Sequence, residues 1–238
     1  MTNDVLKRLE AQSLSKQKDF IGNIAKRLGR PVVTERPKHP YQGAPAFWNA
    51  FDLPLEERIA LFSENWGKAG GHVVRLETMD DAKAWIVGKA AELGAKRLLR
   101  QRQDELDALA LEAALPEAEV VAWDEPPMED RRAVAAGADI GLVVVDRAVA
   151  YTGSLMVTSS ARKGRSVSLL PTALFAIVPV ERLATRLGEA LRPLDATPRA
   201  QLPAGVHFIS GPSRSADIEN DLTIGVHGPG VVFAILVG

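Results

Sequence analysis

The chain has no cysteine among its 238 residues. Disulfides, thiol nucleophiles and any iron–sulfur cluster held by its own thiolates are thereby excluded. Long apolar runs are missing as well. The longest stretch free of Asp, Glu, Lys, Arg and His covers residues 166–180, only 15 residues, and Pro171 and Pro179 interrupt it. A membrane-spanning helix needs about 20 apolar residues, so no span is expected. The first ten residues carry charges with no apolar core behind them. No secretory signal is therefore read, and the cytoplasm is the expected compartment. A large charge of one sign is also lacking: the formal net charge is −1, which argues against general affinity for nucleic acid. No His/Asp/Glu cluster has metal-ligand spacing and cysteine cannot contribute, so no metal is expected.

What is present is the composition of a globular protein, 46% hydrophobic and 25% charged. At about 100–200 residues per domain, the length allows one large domain or one domain with an appendage. Such a chain buries a sizeable core without covalent staples. The small net charge conceals an asymmetry. Residues 1–38 hold nine Lys/Arg against four Asp/Glu, and the remainder holds twenty against twenty-six. A basic head on an acidic body reads as a docking arm, or equally as a solvated helix whose charge is balanced within the same chain.

The head has helical spacing. Phe20, Ile24 and Leu28 recur at i, i+4 and i+8. Gly29 and Pro31 then predict a helix stop. Residues 31–53 contain four prolines and no period, and read as an extended connector that Tyr41, Phe47, Trp48 and Phe51 pin to a surface. From Pro54 the pattern alternates. Helices are expected from 54 onward, over 80–93 and over 104–114, with strands at 72–76, 96–100 and 120–122. Further strands are expected at 140–145, 154–158, 167–170, 174–178, 206–209 and 231–237, with one helix at 180–191. Continuous apolar runs suggest strands covered on both faces. The expected fold class is α/β: a mainly parallel sheet flanked by helices, preceded by an N-terminal helical arm. The division is residues 1–53 for helix and extended docking arm, and 54–238 for the α/β domain.

Ligands of open α/β sheets favour the crevice at the carboxyl ends of strands. Three segments between or after strands have suitable residues. Thr152, Gly153 and Ser154 form a turn with backbone donors and hydroxyls for an anion, or a plain tight turn. Residues 159–166 gather three serines with Arg162, Lys163 and Arg165, which suits phosphate or carboxylate, or else a solvated hairpin tip. Gly211, Ser213, Arg214, Ser215 and Asp217 follow a strand and read as an anion-binding helical turn, or as ordinary capping. This is neither a Walker A loop nor the dinucleotide glycine pattern. Asp217 and Glu219 are two residues apart and do not face each other on a helix, so they are not read as a catalytic pair. His227 lies in a loop of three glycines and a proline. It is the best-placed histidine for proton transfer, although a structural turn explains it too. His39, His72 and His207 are scattered.

Taken in order, these segments resemble the lactate utilisation protein C family of LUD-domain proteins. Phe20, Ile24, Ala25, Leu28, Gly29 and Arg30 are similar to its N-terminal helix. Ala138-Asp139-Ile140-Gly141-Leu142 precedes its Thr-Gly turn, here Thr152-Gly153-Ser154. Gly164-Arg165-Ser166-Val167-Ser168, Leu170-Pro171 and Ala176-Ile177-Val178-Pro179 resemble the next stretch. Gly211-Pro212-Ser213, Ser215-Ala216-Asp217-Ile218-Glu219 and Gly225-Val226-His227-Gly228-Pro229 are the most specific part. The resemblance covers nearly the whole chain. It implies a fold like the sugar-phosphate isomerase and coenzyme A transferase sheets. It also implies work beside two iron–sulfur proteins in oxidising L-lactate to pyruvate, with the clusters on those partners and no cofactor bound by this chain. There are departures. Tyr151 stands where the family usually has an acidic residue, Ser154 replaces its usual Thr, and Arg214 replaces a small polar residue. Two other readings stay open: a free-standing enzyme or binding protein for a phosphorylated or coenzyme A-linked small acid, and a non-catalytic assembly module gripping its partner through the basic head.

Overall fold

Helical spacing in the head becomes one long helix. α1 runs Thr2–Arg27, and it ends as the glycine predicts. Gly29 takes φ +62°, a left-handed conformation that costs glycine nothing. Its N–H donates to the Lys26 carbonyl and that of Arg30 donates to Ala25, which satisfies two carbonyls the helix end leaves open. The computed structural model describes residues 2–33, 35, 48, 50–216 and 222–238. Most of the proline-rich connector falls outside the described residues. Residues 1–49 and residues 50–238 are two separate compact units.

In the second unit, Pro54 sits at the N-cap of α2 (Leu55–Lys68), which buries Ile59, Phe62 and Trp66 along one face. Then follow β1 (His72–Leu76), α3 (Met79–Glu92) and β2 (Arg97–Arg100). Thr78 and Asp81 form a reciprocal capping box at the start of α3. Two short helices, α4 (Asp104–Asp107) and α5 (Leu111–Ala114), replace the single helix expected over 104–114. The break comes at Ala110, which takes φ +46°. Leu106, Leu109, Leu111 and Leu115 all bury in the same core, and a straight helix cannot turn all four inward. Next come β3 (Glu119–Ala122), α6 (Arg131–Ala136) and β4 (Ile140–Val144).

β5 (Arg147–Val149) and β6 (Ser154–Thr158) form a hairpin, and α7 (Ser166–Leu169) stands where a strand was expected. Proximity explains the difference: a Cβ on Gly141 would lie 1.9 Å from the Val167 carbonyl oxygen, so this segment lies flat on the face of β4 instead of pairing at its edge. β7 (Ala173–Pro179) follows. Residues 180–191 do not make the single helix expected. A 3₁₀ turn at Val180–Arg182 and β8 (Leu183–Ala184) come first, and α8 (Leu187–Asp195) begins only afterwards. The chain closes with β9 (Val206–Ile209), β10 (Arg214–Ala216), β11 (Leu222–Ile224) and β12 (Val231–Val237).

The principal sheet has six strands in the order β1-β12-β7-β4-β2-β3. All its pairings are parallel. A four-stranded sheet, β8-β5-β6-β9, lies beside it. Alternation along the strands divides the core. Ile140, Leu142 and Val144 face α3, α4 and α5, whereas Val143 and Val145 face α2, α6, α7 and the smaller sheet. β4, β7 and β12 are buried along almost their entire length because both faces are covered. Asp139 anchors the start of this arrangement. Its Oδ2 accepts the N–H groups of Lys96 and Arg97, at 2.7 and 2.9 Å, and aligns β2 with β4.

Candidate functional site

The Thr152–Ser154 turn is built against α2. A Cβ on Gly153 would lie 2.7 Å from the Trp66 nitrogen and 2.8 Å from Asn65 atoms, and Gly153 itself has φ +56°. Asn65 Nδ2 donates to the carbonyls of Ala150 and Tyr151, both at 3.0 Å. The Ala150, Tyr151 and Gly153 N–H groups donate to Ala184, Thr185 and Ala150 carbonyls. Ser154 Oγ pairs with Ser210 Oγ at 2.7 Å. Thus three backbone donors in and just before the turn serve the fold, and the turn reaches the 210–214 segment through a hydroxyl pair. Tyr151, at the position that departs from the family pattern, meets the Phe51 ring edge-on at 5.7 Å.

Residues 211–214 and 225–230 come together. Ser213 N–H donates to the Pro229 carbonyl, and Gly225 N–H donates to Ser213. They enclose a cavity of about 300 Å³, which Ser213, Arg214, His227 and Gly228 line and which Ser168 reaches from α7. A larger cleft, about 660 Å³, opens on the other side of His227 between Leu170, Thr172 and Val226. Leu174 and Val232, the second residues of β7 and β12, line the smaller cavity. These glycine-rich segments therefore sit at the amino ends of the parallel strands, not at the carboxyl ends. Arg214 and Ser215 belong to strand β10, so the described residues place no helical turn there. Arg214 donates to the Ala69 carbonyl. Asp217 lies outside the described residues.

The 159–166 loop does occupy the carboxyl edge. Ser160 and Lys163 exchange backbone hydrogen bonds across a tight turn, and Arg102 N–H donates to Arg162 O. Lys163 Nζ reaches Asp146 at 2.7 Å and Thr158 Oγ1 at 3.2 Å. Arg162 lies 3.7 and 3.8 Å from Asp104 and Asp107. Arg165 is exposed.

Arg165 stands near a group that sequence reading passed over. His207 on β9 approaches Ser168 Oγ through Nε2, at 3.2 Å, while its Nδ1 is buried without a partner among the described residues. Burial chiefly pushes the imidazole below its ordinary value. The charge on Arg165 acts the same way and so does Lys163, while Asp146 opposes them. A neutral imidazole on β9, a buried hydroxyl on α7 and an exposed guanidinium at the N-cap of α7 are thereby gathered. This set can accept a proton and hold an anion. Asp146 was missed too, though its signal was available: it is the first charged residue after the buried run of β4. Among the described residues no group of three or more His, Cys, Asp or Glu can hold a metal ion, and no helix is long and apolar enough to cross a membrane.

Comparison with known proteins places this architecture. The Deinococcus radiodurans DUF162 family protein, solved as a crystal structure, has a similar fold. Its TM-score is 0.59 at 21% identity, over 78% of this chain and 99% of that one. Lactate utilization protein C of Halalkalibacterium halodurans is 33% identical over 219 residues, covering 91% of this chain and 95% of the relative. Its namesake in Exiguobacterium sp. is 31% identical over 229 residues, covering 94% and 97%. The family model of the LUD domain matches residues 59–237. With that match and relatives aligned over nearly their full length, the chain belongs to the LUD domain family.

Proposed function

We propose that the chain serves bacterial lactate utilisation, as a subunit of a system that oxidises L-lactate to pyruvate. The observation that carries this is the near full-length similarity to proteins named lactate utilization protein C. The finer reading assigns it two iron–sulfur proteins as partners, which hold the clusters. A chain without cysteine has no thiolates for one, so that division of labour suits its composition. In this reading residues 1–53 are the docking arm. Support comes from α1, whose Leu6, Leu9, Leu14 and Phe20 are exposed alongside a basic surplus. A clean deletion tests the role. Loss of growth on L-lactate as sole carbon source, restored by the gene in trans, is expected; undiminished growth refutes it. Affinity purification from lactate-grown cells then identifies the partners.

One observation favours a second reading, a binding protein or free-standing enzyme for a small anionic acid. Ser213, Arg214 and His227 line one cavity, and Ser168 links it to His207 beside the exposed Arg165. Such a constellation is able to bind an anion and accept a proton, with or without partner proteins.

A further inference from the structure

We propose that the carboxyl edge of the six-stranded sheet carries a separate binding site, for a small aliphatic monocarboxylate, with Arg147 as its anion receptor. Topology locates it. β2 and β4 are neighbours, yet from β2 the chain moves outward to β3 at the edge, and from β4 it moves the other way to β7. Neighbouring strands whose connections diverge leave a crevice beyond their carboxyl ends, where open α/β sheets take their ligands. In this protein a cavity of about 450 Å³ lies there, between the ends of β2 and β4, the β5–β6 hairpin and α8. That volume is within the range of small-molecule sites.

The charges in the cavity select the ligand. Glu105 and Arg182 pair at 2.7 Å, and Asp146 pairs with Lys163 at 2.7 Å. Each of these charges has its partner. Arg147 does not: among the described residues it forms no ion pair, and its guanidinium makes one hydrogen bond, a 3.5 Å contact to the carbonyl of Asp146. A half-buried guanidinium with unfilled donors beside a cavity presents the planar fork that a carboxylate fits. One surplus cation matches one negative charge. A dicarboxylate would bring its second charge toward Glu105 or Asp146, and a phosphate dianion would exceed the single cation. Beside the fork, part of the wall is apolar. Met156 is the direct cross-strand partner of Arg147, so both project from the same face, and Leu194 of α8 continues the surface. The hydrocarbon body of the ligand lies there.

This site goes beyond the lactate reading and is separable from it, because it is tested on the purified full-length chain and not by growth. Isothermal titration with acetate, L-lactate, butyrate and hexanoate is compared with succinate and inorganic phosphate. Monocarboxylates are expected to bind, more tightly as the chain lengthens from acetate to butyrate, with succinate and phosphate weaker. Arg147→Gln lowers the affinity at least tenfold, and Arg147→Lys recovers part of it. Leu194→Glu, which places a like charge on the apolar wall, also weakens binding and serves if Arg147→Gln fails to fold. The proposal is overturned if no monocarboxylate binds, if phosphate binds best, or if folded Arg147→Gln and Leu194→Glu proteins bind as the natural chain does.

Discussion

Gly141→Ala tests how α7 is held on the sheet. The added Cβ would meet the Val167 carbonyl oxygen at 1.9 Å and the Pro171 ring at 3.0 Å. An ordinary carbon–oxygen contact is about 3.3–3.6 Å, so α7 must retreat by more than about 1 Å. Overpacking a core costs about 1–3 kcal/mol. The upper end applies here, because the obstacle is backbone and not the end of a flexible side chain. Alanine returns about 0.5–1 kcal/mol through its lower conformational entropy in the unfolded chain. The net loss is about 2 kcal/mol, and the melting temperature falls by roughly 4–8 °C for a chain of this size. Gly88→Ala is the internal control. Gly88 lies on α3 with nothing within 4 Å of its added Cβ, so the substitution stabilises by about 0.5–1 kcal/mol. Urea unfolding followed by far-UV circular dichroism measures both variants. If Gly141→Ala matches or exceeds the natural chain in stability, α7 does not lie against β4 as described.

Two further outcomes follow from α7 and β9. Because His207 titrates below its ordinary value of 6.5, the unfolded chain takes up its proton first as the pH falls. Its contribution is present above pH ~6.5 and is lost as the pH drops below that toward the folded value. His207→Gln should therefore shrink the stability difference between about pH 7.5 and pH 5.5, and an equal acid loss in both proteins would contradict this. Arg165→Ala should weaken an anion bound beside Ser168 by about 1.5–3 kcal/mol, read by titration with sugar phosphates, coenzyme A and 2-hydroxy acids. Unchanged affinity removes Arg165 from the site.

Most strands were legible because each is a short apolar run bounded by turn residues. β4, β7 and β12 appear at their expected positions for that reason. The failures share one cause. Residues 166–169 have the composition of a strand, but they cross the face of β4 and coil into a helical turn, a tertiary effect that no local pattern carries. The pattern over residues 180–191 predicts one helix, although Arg182 and Leu183 face different neighbours: Arg182 donates to Val145 O, and Leu183 accepts from Arg58. Part of the candidate site was legible for a related reason. The turns around Ser213 and His227 are built from glycine and proline, which sequence displays openly, while their contact is seen only in the fold. The Ser168–His207 contact joins residues 39 apart across two elements, and no local pattern links the two.

The residues that carry the family resemblance mostly answer to packing. A Cβ on Gly153 would strike the backbone of α2, one on Gly164 would meet the Trp123 ring at 2.0 Å, and one on Gly211 would approach the Ala69 carbonyl at 2.7 Å. Asp139 ties two strands together. Each of these positions is demanded by the approach of one element to another, whatever ligand is bound. The motifs therefore identify the fold more directly than the chemistry, and their substitution reads out as stability. Charged groups that the fold does not need are a different class. Arg165 is exposed at the N-cap of α7, and Arg147 lines a cavity without an ion pair among the described residues. Neither removal opens a core or orphans a buried carboxylate, so a functional loss at either position, with stability kept, is direct evidence of a ligand.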